Sequence, residues 1–151
     1  MQEYQRKQLL ERVDREGATV GTEIPERIAV QGEEIELQEF VFEIKRRETY
    51  PASERERVDR AKKNLRRERL QRRQRIEDGE ISFEEGERLA RSIVGIDRAL
   101  NALENLQPTD LERETMAQET ADKKRWMSFL RQALGHEDTS SRRLGGTGRG
   151  R

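Results

Sequence analysis

The segment that decides the fold is FEEGERLARSIVGIDRALNALENL, residues 83–106. Its apolar residues follow a heptad spacing and share one stripe of a helix: Leu89, Ile93, Ile96, Leu100 and Leu103. Ser82 precedes the segment and Glu85 follows three residues later, which is the capping box that opens many helices. The pattern therefore predicts a helix over 83–106 whose stripe needs an apolar partner. That partner is either another helix of this chain or a second copy of it.

The residues before this segment predict a second long helix, over 54–78. It begins at another capping box, Ser53 to Glu56. Four apolar residues lie on one face, which Arg72 interrupts: Val58, Ala61, Leu65 and Ile76. Only residues 78–82 join the two helices, and Gly79 stands where a C-terminal cap belongs. An antiparallel helical hairpin follows from this short connection.

A third amphipathic helix is predicted over 110–134. Its start is the capping box from Thr109 to Glu112, and Gly135 follows its end. Its broad apolar face consists of Trp126, Met127, Phe129, Leu130, Ala133 and Leu134.

The N-terminal third contains a short helix over 2–16 and the only strand pattern. Ile28 and Val30 alternate with polar residues, as do Ile35 and Leu37. A hairpin with a four-residue loop, 31–34, pairs Val30 with Ile35 and Ile28 with Leu37, and places all four on one side. A helical face with Phe40, Val41 and Ile44 follows and predicts the centre of the core.

These elements predict a mainly α protein: a helical hairpin plus a C-terminal amphipathic helix, with a small β-hairpin near the N-terminus. Residues 1–135 are expected to form a single helical domain. Residues 136–151 lack periodicity and are rich in glycine and arginine, so we expect a disordered tail.

Composition excludes several classes of protein. The chain has 151 residues, of which 31% are apolar and 41% charged, and it has no cysteine, so disulfides and thiolate metal sites are excluded. No apolar run approaches the roughly 18 residues of a membrane span, and no signal-peptide stretch follows Met1. A cytoplasmic location is therefore expected.

No catalytic, metal-binding or cofactor-binding constellation is recognisable. His136 is the single histidine and falls in the predicted tail, and the glycines match neither the P-loop nor the dinucleotide spacing. We expect a protein that is not an enzyme, with no cofactor, no metal and no indicated small-molecule substrate.

The strongest charge feature is residues 60–75, where nine basic residues stand against Glu68 alone. Five of the cations cluster opposite the apolar stripe: Lys62, Lys63, Arg66, Arg69 and Arg73. They are candidate nucleic-acid contacts, because such a face can lie along phosphates. An acidic protein partner and a solvated face are the alternatives. In the latter case the cations pair within the chain, for example Arg72, Arg73 and Arg75 with Glu84, Glu85 and Glu87.

Trp126, Phe129 and Leu130 are the candidate partner-binding residues of the C-terminal helix. They suit a groove on another protein, and the neighbouring cations also fit a membrane surface. Packing on the 83–106 stripe is the third interpretation.

The stretches 39–46, 61–82, 95–106 and 118–135 together resemble a family of small uncharacterised proteins from haloarchaea. The resemblance covers roughly residues 1–135 and carries no functional residue with it. It implies a cytoplasm at molar salt, where phosphate contacts weaken. Two hypotheses therefore stand: a non-enzymatic protein-interaction or adaptor module, including self-association, and, second, a nucleic-acid-associated protein.

Overall fold

The computed structural model describes residues 1–16, 23–47, 49–109 and 124–135. Its α-helices are α1 (Glu3–Glu16), α2 (Leu37–Lys45), α3 (Arg55–Asp78), α4 (Phe83–Glu104) and α5 (124–135). Its strands are β1 (Ile28–Val30), β2 (Glu33–Ile35), β3 (Thr49–Tyr50) and β4 (Gln107–Pro108), and a 3-10 turn (Ala52–Glu54) precedes α3. The predicted fold class, mainly helical with a small antiparallel hairpin near the N-terminus, is confirmed.

The predicted helical hairpin is formed by α3 and α4. The Ser82 hydroxyl accepts a hydrogen bond from the Glu85 backbone N–H at 3.1 Å and so caps α4. Gly79 ends α3 in the left-handed conformation, at φ +68°, where its N–H donates to the carbonyls of Arg75 and Ile76. Glycine adopts this conformation without strain, which explains the sharp end of the helix.

The predicted stripe on α4 is covered within the chain. All five of its heptad residues are buried, and α1, α2 and α3 pack against the helix. The stripe thus forms the middle of the core. A second copy of the chain is not needed to bury the stripe.

Two apolar clusters share the α3–α4 hairpin. The large cluster joins α2, the β-hairpin, α5 and parts of α3 and α4, and it includes Phe40, Leu65, Ile96 and Trp126. The small cluster lies where α1 crosses the hairpin near its turn, and it consists of Leu9, Val13, Ile76, Leu89, Ala90 and Ile93.

The β-hairpin has a different register from the predicted one. Ile28, not Val30, lies opposite Ile35, so the loop is the two-residue turn Gln31-Gly32 and not a four-residue loop. Both turn residues have positive φ, +48° and +85°, as in the type I′ turn that matches strand twist. Glu68 on α3 accepts hydrogen bonds from the Gln31 backbone and side chain at 2.9 and 3.0 Å. These bonds hold a non-glycine residue in a conformation that costs it energy.

A short parallel bridge between β3 and β4 was not predicted. Thr49 lies opposite Gln107, and the Thr109 backbone N–H donates to the Tyr50 carbonyl at 2.9 Å. The Thr109–Glu112 capping box, the first part of the 110–134 helix and the 136–151 tail lie wholly or partly outside the described residues, so those expectations stay predictions. No helix in the described ranges is both long and apolar enough to cross a bilayer.

Candidate interaction surfaces

The outer face of α3 is a solvent-exposed strip made by Lys63, Arg66, Arg67, Leu70 and Gln74. The other four residues lie three, four or seven positions from Leu70, so all five share one side of the helix. Leu70 lies in the middle of the strip with 65% of its surface exposed. The other sides of α3 pack on α1, α4 and the β-hairpin.

Two of the five predicted nucleic-acid contacts pair with α4. The Arg69 guanidinium lies 2.6 Å from the Asp97 carboxylate, and that of Arg66 lies 3.4 Å from the Glu104 carboxylate. Both acids lie on α4, after the basic residues 60–75 in the sequence. Pairing lowers the positive potential that these two arginines offer to a phosphate.

Arg73, Lys62 and Lys63 complete the predicted set. Arg73 pairs with Asp14 on α1 at 2.9 Å and with Glu77 at 3.3 Å. Lys62 is half-buried and Lys63 is exposed, and neither pairs with an acid in the part of the chain that the structure describes. The structure thus brings the five cations to one border of α3, with three of them partly neutralised.

The pairs expected across the hairpin turn form only in part. Arg75 pairs with Glu85 at 2.5 Å. Arg72 points inward instead, where it donates to Glu68 at 2.8 Å, to the Ser92 hydroxyl at 2.9 Å and to the Ala29 carbonyl at 2.6 Å. These three acceptors explain why an arginine interrupts the apolar stripe of α3.

The three candidate partner-binding residues of α5 lie inside the chain. Trp126 and Leu130 are fully buried in the large cluster. Phe129 is half-buried, with its ring centroid 6.3 Å from that of Phe40. The Arg47 guanidinium lies 4.8 Å from the centre of the Trp126 ring. This placement corresponds to the packing interpretation, and it leaves Trp126 and Leu130 inaccessible to a partner.

A groove that the sequence did not reveal lies between residues 23–29 and the first half of α4. Its volume is about 740 Å³, and its lining includes Ile24, Pro25, Leu89, Arg88 and Arg91. The two arginines, three positions apart on α4, were the only signal of it in the sequence, because the opposite wall is contributed by a segment about sixty residues away.

The titratable groups with shifted pKa values keep their usual charge state at neutral pH. The Arg6 guanidinium, hydrogen-bonded to Glu3 at 2.5 Å, lowers the pKa of that exposed carboxyl. Burial raises the pKa of the Tyr50 hydroxyl. Within the described ranges, no three His, Asp or Glu side chains are placed to hold a metal ion.

Comparison with curated proteins and with solved structures gives no match. A family model matches residues 1–131, which is most of the chain. The expected membership of an uncharacterised family is thereby confirmed, while the haloarchaeal origin stays a prediction. The chain therefore belongs to a family of unknown function (DUF5788).

Proposed function

We propose that this protein is a non-enzymatic protein-interaction module whose outer face of α3 binds an acidic surface of another protein. The observation that carries the proposal is the exposed Leu70 at the centre of a basic strip. An apolar side chain ringed by cations suits a partner that offers an apolar contact within an acidic rim.

The expected energetics have two parts. Burial of the Leu70 side chain in an interface contributes about 1.5–3 kcal/mol. The surrounding cations, Lys63, Arg66 and Arg67, contribute mainly to the association rate and to the orientation of the partner. These cations can pair with acids of their own chain and still attract an acidic partner. Their effect on the association rate comes from the summed charge of the surface and not from one buried ion pair.

The α3 surface suits a protein better than a phosphate backbone. An exposed leucine gains little beside phosphates, and Arg66, Arg69 and Arg73 already pair with carboxylates. The nucleic-acid hypothesis is kept as the second candidate because Lys62 and Lys63 make no ion pair among the described residues. Their charge remains available to a phosphate.

The test is crosslinking and affinity purification from cells at native salt, with proteins and nucleic acids both identified. The baits are the wild type, L70Q, the K62Q/K63Q double variant and R131Q, which removes an exposed arginine of α5 as the control. We expect one stoichiometric, acidic protein, and its Kd for the purified bait should rise at least about tenfold in L70Q and stay unchanged in R131Q.

Two outcomes would contradict this function. Equal binding of the captured protein by L70Q and the wild type would remove Leu70 from the interface. Recovery of RNA or DNA that L70Q retains and K62Q/K63Q loses would establish the nucleic-acid role instead. Circular dichroism of each bait checks that the fold is intact.

A further inference from the structure

The groove beside α4 has the size of a small-molecule site, and its lining combines apolar and charged side chains. Its volume of about 740 Å³ falls within the range of roughly 300–1,000 Å³ that is usual for ligand pockets. Ile24 and Pro25 on one wall and Leu89 on the other provide apolar surface. A ligand with an apolar body can therefore lose its hydration on both sides.

The wall opposite α4 is held in place by hydrogen bonds. The Gln38 side chain donates to the Ile24 carbonyl at 2.7 Å, and the Gln38 backbone N–H donates to the Glu26 carbonyl at 3.4 Å. At the far end of this wall, Arg72 donates to the Ala29 carbonyl at 2.6 Å. A preformed wall lowers the ordering cost of binding.

Gly95 on α4 packs closely against Leu37 and against the start of the 23–29 segment. A Cβ atom at this position would lie 2.5 Å from the Leu37 Cδ2, 3.3 Å from the Ile24 Cβ and 3.5 Å from the Pro25 Cδ. Glycine thus gives Leu37 the room it occupies and keeps the contact between α4 and Ile24 close.

Arg88 and Arg91 supply unpaired positive charge at this groove. They lie one turn apart on α4, both are exposed, and neither has an acidic partner in the described part of the chain. Glu87, which directly precedes Arg88, pairs with Arg12 at 3.5 Å, and Glu85, which also lines the groove, pairs with Arg75 at 2.5 Å. Two guanidinium groups therefore present their donors without a counter-ion.

The charges favour one class of anion. A phosphate monoester carries about −1.5 to −2 charges at pH 7, which matches two arginines, whereas one carboxylate balances only one of them. Glu23 and Glu26 line the opposite wall and repel a second phosphate. This arrangement disfavours a polyphosphate or a nucleic-acid strand along the groove.

We propose that this groove binds a small organic phosphate monoester, with its phosphate on Arg88 and Arg91 and its apolar body against Ile24, Pro25 and Leu89. Guanidinium groups suit the phosphate because their donors match its oxygens in bidentate pairs. The site is separate from the outer face of α3, so it stands or falls independently of the proposed function.

The experiment is a calorimetric titration of the full chain at low salt, with phenyl phosphate as the probe. Inorganic phosphate and phenylacetate are the comparison ligands, and circular dichroism checks the fold of every variant. We expect a Kd for phenyl phosphate below about 1 mM. It should rise at least about tenfold in the R88Q/R91Q double variant and stay unchanged in R131Q.

The comparison ligands test the two halves of the assignment. If inorganic phosphate binds more weakly than phenyl phosphate, the apolar contact with the phenyl ring contributes to binding. If phenylacetate binds more weakly than phenyl phosphate, the site prefers the dianionic phosphate to a carboxylate. The proposal is overturned if phenyl phosphate does not bind, if R88Q/R91Q binds it as tightly as the wild type, or if R131Q weakens it equally. Binding of either comparison ligand as tight as that of phenyl phosphate overturns the monoester assignment.

Discussion

Glu43 is a charged side chain in the core, with 3% of its surface exposed. Its carboxylate accepts hydrogen bonds from Arg47 at 2.5 Å and from Arg125 at 2.9 Å, and Arg46 lies 3.5 Å away. Arg47 in turn lies over the ring of Trp126. The carboxylate therefore ties α2 to α5, and it compensates an arginine that has only 9% of its side chain exposed.

The substitution E43Q should lower the free energy of unfolding by about 2–4 kcal/mol, because it removes the buried carboxylate charge that Arg47 and Arg125 both contact. The matched control is E104Q, which breaks the exposed pair with Arg66, whose partners have side-chain exposures of 56% and 51%. We expect E104Q to change stability by less than about 1 kcal/mol. Urea unfolding of both variants checks this, and equal effects would show that Glu43 contributes no more than a surface pair.

At the scale of elements, the turn between α3 and α4 is stabilised from three directions. Gly79 caps the end of α3, and the Ser82 side chain caps the start of α4. The Met1 amino group donates to the carbonyls of Gly79 and Ile81 at 3.3 and 2.9 Å. Because the hairpin runs through both apolar clusters, its turn orients most of the described fold.

The substitution S82A should lower the free energy of unfolding by about 1 kcal/mol, since the Glu85 N–H loses its acceptor at the helix start. S128A is the control, because Ser128 is an exposed residue inside α5. There alanine should be neutral or slightly stabilising, as the better helix former. Thermal unfolding of both variants measures the difference, and a stability of S82A equal to that of the wild type would argue against the cap.

At the scale of the whole molecule, the two apolar clusters are joined by the helices that pass through both. On α4, Ile93 belongs to the small cluster and Ile96 to the large one, and both are fully buried. Small single domains usually unfold in one cooperative transition, without a populated intermediate. We therefore expect the two clusters to unfold together.

Each of the substitutions I93A and I96A should lower the free energy of unfolding by about 2–5 kcal/mol. Trp126, the single tryptophan, reports on the large cluster by fluorescence, whereas circular dichroism at 222 nm reports on all helices. For both variants the two signals should give one coincident transition in urea. If I93A shifts the dichroism without shifting the fluorescence, the small cluster is a separate folding unit, and the single-domain prediction is wrong.

The interaction surfaces illustrate which tertiary contacts sequence reasoning missed. Helical periodicity alone predicts that Lys62, Lys63 and Arg66 lie on one side of α3. It does not predict the ion pairs of Arg69 with Asp97 and of Arg73 with Asp14. Those pairs depend on how α1 and α4 pack against α3. For the same reason the exposure of Leu70 became visible only when the neighbours of α3 were in place.

The sequence by itself determined the helices of the described residues, the α3–α4 hairpin and the buried stripe of α4. These features depend on residues within about four positions of each other, as in the Ser82 cap and the heptad spacing. A short stretch of sequence is therefore enough to predict them. Only the tertiary structure decided the register at Gln31, the inward path of Arg72 and the groove beside Arg88. Each of these depends on atoms that distant segments bring together, among them Glu68 for the turn and residues 23–29 for the groove.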